Sequence, residues 1–154
     1  MSFKSNMSNE DREMRELIKK RKEPADLAIW RTRLDVLWRI AKEDIELRIV
    51  SGYYREGGKA PSKDDIVRIY EVSEVTALKV LKVMEDEGII EKIRGKNGRI
   101  IKPQARQMLY DYHFSLLNKR LGDIVSTSIR CGLDKNTVIK LLVSNFDKRK
   151  SGSR

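Results

Sequence analysis

The segment that most narrows the fold is 62–102, where two short helix signals and a hairpin signal follow one another without a linker. Ser62-Lys63-Asp64-Asp65 has the capping-box pattern: the Ser62 hydroxyl can accept the Asp65 amide while the Asp65 carboxylate accepts in return. A short helix over 63–70 comes next, with Ile66, Val67 and Tyr70 facing inward. Val72 opens a tight connection, and Ser73 is placed to cap a helix over 74–87 whose inward positions are Ala77, Val80, Leu81 and Met84. Gly88 stops it. Two β-branched runs, Ile89–Ile93 and Arg99–Lys102, then flank Gly95-Lys96-Asn97-Gly98, and Asn-Gly between such runs predicts a hairpin.

On either side the chain reads as helix. From Pro24 to about Val50 the apolar residues fall at Leu27, Trp30, Leu34, Leu37, Trp38, Ala41, Ile45 and Ile49, in steps of three and four that make one stripe. Core packing accounts for it, although its first half, Leu27 to Trp38, can also pack on a partner subunit or second domain. Gly52 ends it, and residues 53–61 read as a turn-rich loop. Beyond Pro103, residues 104–131 repeat the helical pattern through Leu109, Tyr112, Leu116, Leu117, Leu121, Ile124, Val125 and Ile129. Gly132 suits the end of that helix, and Asp134 can cap a last one bearing Val138, Leu141, Leu142 and Phe146. The expected fold is mainly α: a winged helix-turn-helix with a two-stranded β-wing, an N-terminal helical extension and a C-terminal helical pair.

Charge and composition then exclude whole classes. A net charge of +10 attracts polyanions, nucleic acid first and an anionic membrane surface second. One histidine (His113) and one cysteine (Cys131) cannot build a zinc site from the usual ligands, so no metal and no cofactor are expected. His113 reads as a packing or interface residue, and Cys131 as a buried thiol suited to a reducing cytosol. No nucleotide-binding glycine loop is present, and the paired acids sit where capping or solvation explains them; no enzyme is expected. No run of about 18 apolar residues is available to span a membrane. The N-terminus lacks the apolar stretch of a signal peptide, which points to the cytoplasm.

In a winged helix-turn-helix the third helix enters the major groove of double-stranded DNA, and the hairpin tip reaches backbone or minor groove. Residues 40–102 resemble the DNA-binding domain of the GntR family of transcription regulators. The matching residues are Ser51-Gly52, Gly57-Gly58, Ala60-Pro61-Ser62, Ile66-Val67, Val72-Ser73, Thr76, Leu81, Glu87-Gly88-Ile89-Ile90 and the wing Arg94-Gly95-Lys96-Asn97-Gly98. The stretch beyond the wing is too short for the large effector domain of most members and looks like the YtrA subfamily, in which a helical pair dimerises the protein. The resemblance implies a homodimeric repressor on a palindromic operator. It divides the chain into an N-terminal basic extension (1–23), a winged helix-turn-helix (24–103), a helical dimerisation element (104–147) and a frayed tail (148–154). No effector pocket is legible, which leaves a small-molecule effector open.

Three positions depart from the family pattern: Asp64, Glu74 and Leu78 stand where basic residues are frequent. Base readout then falls to other groups. Val75 and Leu78 on the outer face can meet thymine methyls, or instead pack on the wing or turn; Lys79 and Lys82 are the candidates there for groove and phosphate contacts. Ser62, Lys63 and Thr76 lie at helix starts that favour a phosphate, though capping alone explains Ser62. Arg94, Lys96, Asn97 and Arg99 line the wing. For dimerisation the candidates are Leu109, Tyr112, Leu116, Leu121, Ile124, Val125, Leu141 and Leu142. A basic helix over 10–22 can add DNA or protein contacts or be a solvated charged helix. Two rivals remain: a winged-helix module for protein interaction, which Asp64 and Glu74 favour, and a plasmid or phage replication or partition factor.

Overall fold

The computed structural model describes residues 27–152, with side chains from residue 36 onward. The expected basic helix over 10–22, and the side chains of Leu27, Trp30 and Leu34, lie outside the described residues. The chain divides into two compact units, Met1–Tyr110 and Asp111–Arg154.

In the first unit a long helix, α1 (Leu27–Val50), is followed by α2 (Lys63–Tyr70) and α3 (Glu74–Asp86), then by an antiparallel hairpin of β1 (Ile90–Lys92) and β2 (Arg99–Ile101). This is a winged helix-turn-helix. The capping box closes as the sequence predicts: Ser62 Oγ accepts the Asp65 amide at 3.1 Å, and the Ser62 amide donates to Asp65 Oδ2 at 3.0 Å. Ser73 Oγ accepts the Thr76 amide at 3.1 Å and starts α3. The link between α2 and α3 is short because Glu71 takes the left-handed conformation, φ 53°. At the far end of α3, Gly88 (φ 74°) donates to Glu85 O and Ile89 donates to Met84 O. That is a Schellman closure, which needs a positive φ that glycine adopts without a Cβ clash.

The core of this unit draws Ala41, Ile45 and Ile49 from α1, Ile66 and Tyr70 from α2, and Ala77, Val80, Leu81 and Met84 from α3. Ile89, Ile90 and Ile101 close it from the wing side. The stripe of α1 therefore lies on its own unit from Leu37 onward, with Trp38 half-buried at its margin. Tyr70 donates to Asp44 Oδ2 at 2.6 Å, and burial together with that carboxylate pushes its phenol well above the usual range.

The wing pairs Ile90 with Ile101, Glu91 with Ile100 and Lys92 with Arg99. The hairpin turns within the expected Gly95–Gly98 stretch and the two residues before it: the Lys96 amide donates to Ile93 O, with Gly95 at φ 72° in the third position of that turn. Part of the loop expected over 53–61 also joins the wing. Gly57 and Ala60 donate to Ile101 O and Arg99 O, and Ile101 donates back to Gly58 O. A Cβ at Gly58 would stand 2.9 Å from Arg55 O, so the close approach needs glycine.

Helix α4 (Ala105–Arg130) begins in the first unit, where Arg106 Nε donates to Val50 O at 3.0 Å and caps the end of α1. Ala105 and Leu109 are core residues of this unit. Leu109, expected at a dimer contact, is only 4% exposed. Helical spacing identifies an apolar face but not the surface that covers it.

In the second unit, α4 ends in another Schellman closure: Gly132 (φ 74°) donates to Ile129 O and Leu133 to Ser128 O. Asp134 caps α5 (Lys135–Ser151) by accepting the Asn136 amide at 3.2 Å, and the Thr137 hydroxyl donates to the same carboxylate. Helix α5 runs past the expected frayed start at 148, because Lys148, Arg149 and Lys150 in its last turn complement the helix dipole. Cys131, expected to be buried, is exposed.

Candidate nucleic-acid interface

Helix α3 has two opposed faces. Thr76, Ala77, Val80, Leu81 and Met84 are buried, whereas Glu74, Val75, Leu78, Lys79 and Lys82 are exposed. The exposed residues recur at three- and four-residue steps, so they form one ridge along the helix. Val75 is 78% exposed and stands clear of the domain, while Leu78 is 48% exposed and keeps about half of its surface open. Thr76, one of the predicted contacts, is on the other side: it is 9% exposed and its hydroxyl lies 2.9 Å from Ser73 Oγ. As the third helical residue its amide belongs to the cap, which carries its side chain to the inner face.

The cations of this region differ in the partners that already hold them. Lys63 Nζ stands 3.2 Å from Glu74 Oε2 and 3.5 Å from Asp64 Oδ1, and hydrogen bonding and attraction from Glu74 raise its pKa above the ordinary lysine value. Lys79 Nζ lies 4.7 Å from the centroid of the Trp38 ring, a cation–π contact that braces the ridge against α1. Lys82 makes a loose pair with Asp86 at 3.6 Å, exposed to solvent on both sides. Arg99 is the furthest from expectation: its Nε donates to Glu85 Oε1, and both side chains are largely covered. It ties β2 to α3 rather than lining the wing tip.

At that tip Arg94, Lys96 and Asn97 are exposed. Ser62 is also exposed while its hydroxyl serves the cap. One connection is missed by sequence reasoning. Lys42 Nζ reaches both Glu46 Oε1 (2.5 Å) and Glu87 Oε2 (2.7 Å), joining α1 to the end of α3. Lys42 and Glu46 stand at the helical i, i+4 spacing, which is the one signal that could have suggested half of it.

The residues expected to dimerise sit in the second unit, Leu109 apart. Tyr112, Ile124, Val125, Leu141 and Leu142 are exposed, and Leu116 and Leu121 half-buried. No residue of α5 is buried. Among the described residues no cluster of His, Cys, Asp and Glu could hold a metal, and no helix is long and apolar enough to cross a membrane.

Solved structures share this arrangement. A GntR-family transcriptional regulator from Listeria monocytogenes superposes with a TM-score of 0.57 at 20% identity, over 70% of this chain and 92% of its own. The fold is of the GntR type. A structure from Bacteroides thetaiotaomicron, described as a transcriptional regulator of the GntR family, gives 0.51 at 21% identity, over 74% and 98%. A transcriptional antiterminator from Listeria monocytogenes EGD-e gives 0.50 at 18% identity, over 70% and 80%. No protein-family model matches the sequence, and no curated protein matches it either.

Proposed function

We propose that this chain is a cytoplasmic DNA-binding transcription regulator that works as a homodimer on a palindromic operator, most simply as a repressor occupying a promoter. One observation carries the reading. The outer ridge of α3 is exposed along its length while the inner face is buried, and the basic wing tip is exposed as well. A helix presented in this way fits the major groove, about 12 Å wide. The net charge of +10 supplies the attraction to phosphate. Two of the structures that share the fold are described as transcriptional regulators, which supports the same reading.

The apolar side chains left open on the second unit support the dimer. Tyr112, Ile124, Leu141 and Leu142 would remain hydrated in a lone chain, and a second copy removes that surface from water. Two ridges related by a two-fold axis would read half-sites roughly 34–36 Å apart, or a multiple of it.

Duplex binding measured by fluorescence anisotropy across a salt series tests the proposal. Affinity should fall steeply with salt, and Lys79→Ala should reduce the slope by about one, the share of a single neutralised phosphate. The pairing of Lys63 with Glu74, and the apolar Val75 beside them, favour a second reading as a protein-interaction module. That reading predicts little affinity for DNA even at low salt, and such a result would displace the first.

A further inference from the structure

We infer that the N-terminal part of α3 reads a cytosine flanked by thymines, Glu74 accepting the cytosine amino group while Val75 and Leu78 pack on thymine methyls. The inference rests on the DNA-binding reading above and adds the identity of the bases.

Recognition helices present their N-terminal residues to base edges. Here those residues are Glu74, Val75 and Leu78, all exposed, and the cations of the helix, Lys79 and Lys82, come later. Helix α3 contains no arginine, so the forked contact to guanine that arginine makes is absent from it. An ionised carboxylate only accepts hydrogen bonds. In the major groove guanine offers two acceptors, thymine offers an acceptor, and adenine sets an acceptor beside its donor. Cytosine is the one base that offers a donor and no acceptor of its own on that edge, so it is the base a carboxylate can accept from.

A glutamate approaching a duplex with its charge uncompensated would be pushed away by phosphate. Lys63 answers this: its Nζ is 3.2 Å from Glu74 Oε2, so the carboxylate arrives already paired. The second oxygen is left for a base. Val75, at 78%, is the most exposed large apolar side chain among the described residues. Thymine carries the one methyl group in the major groove, and contact with it takes both apolar surfaces out of water.

The test selects sites from random duplex DNA at moderate salt with the full chain and with its Glu74→Gln and Val75→Ser variants, then remeasures the winners by anisotropy. The natural chain should enrich a cytosine at one position of each half-site, and replacing it by thymine should weaken binding about tenfold or more. Glutamine pairs with adenine through both the oxygen and the nitrogen of its side-chain amide, so Glu74→Gln should switch that position to adenine. Uracil in place of thymine deletes the methyl; it should weaken the natural chain and leave Val75→Ser nearly unchanged. If Glu74→Gln loses binding, Glu74→Ala decides instead: it should accept any base there, and a retained cytosine overturns the inference. Identical consensus sites and affinities for all variants would also overturn it and leave DNA binding standing. No enrichment by the natural chain would remove both.

Discussion

Replacing Lys42 by methionine takes away the cation that joins α1 to the end of α3 while keeping most of the side chain's volume. Its ammonium is 2.5 Å from Glu46, which is 3% exposed, and 2.7 Å from Glu87, which is open to solvent. Removing one partner of a buried pair costs about 3–5 kcal/mol. Lys42 is partly solvated and Glu46 keeps another contact, so the Glu46 side should cost about 2 kcal/mol. The Glu87 side is screened by water and adds less than about 1 kcal/mol. The loss of roughly 2–3 kcal/mol should lower Tm by about 10 °C in a domain of this size. Urea unfolding followed by circular dichroism reads it directly. The double variant Lys42→Met with Glu46→Leu should recover most of the loss, because an apolar pair suits a buried position.

The pH dependence of that gap has a definite sign. Burial draws the Lys42 pKa down, but hydrogen bonds and attraction from Glu46 and Glu87 outweigh it and hold the pKa above 10.5. A raised lysine pKa stabilises the fold fully below the unfolded value and less as pH climbs through the folded one. The difference between Lys42→Met and the natural chain should therefore be flat over roughly pH 6–9 and narrow in stronger alkali. A single variant within about 0.5 kcal/mol of the natural chain, or a double variant no better than the single, would refute the reasoning.

Ser62→Ala should cost about 1 kcal/mol in denaturant titrations. Bonds from the Ser62 amide and hydroxyl hold the Asp65 carboxyl below its ordinary range, so the hydroxyl's share of this is present above the unfolded Asp value and is lost as pH falls through the lower folded one, leaving the cap bond to the Asp65 amide. A cost unchanged in strong acid would contradict it. Glu85→Gln removes a negative charge beside the proposed interface, yet it should weaken operator binding severalfold because Arg99 no longer anchors the wing; tighter binding would refute that role. Ile124→Glu with Leu141→Glu should halve the mass seen by sedimentation, and an unchanged mass would count against the homodimer.

Local signals in the sequence were reliable where the chemistry is itself local. The Ser62–Asp65 box, the Ser73 and Asp134 caps and the glycine stops at 88 and 132 all stand where spacing places them. The inward faces of α2 and α3 agree with the same periodicity, with Val67 at the margin. Spacing does not carry the partner across space. Leu109 and Tyr112 belong to similar apolar patterns, yet one is sealed in the first unit's core and the other is open. Arg99 in its basic wing and Lys63 at a helix start look available to phosphate, but Glu85 and Glu74 reach them once the helices are packed. The wing hairpin was legible for the opposite reason: its glycines, Gly95 at φ 72° and Gly98 at φ 122°, answer a local need of the turn itself.

The single thiol at position 131 is open to solvent at the corner between α4 and α5. Two such chains left in air can become covalently joined there, whatever their apolar faces do. A pair seen without reductant would then report sulfur chemistry instead of helix packing. Kept reduced, the same group offers one defined point for a probe, and spacing between copies can be measured without altering any other residue.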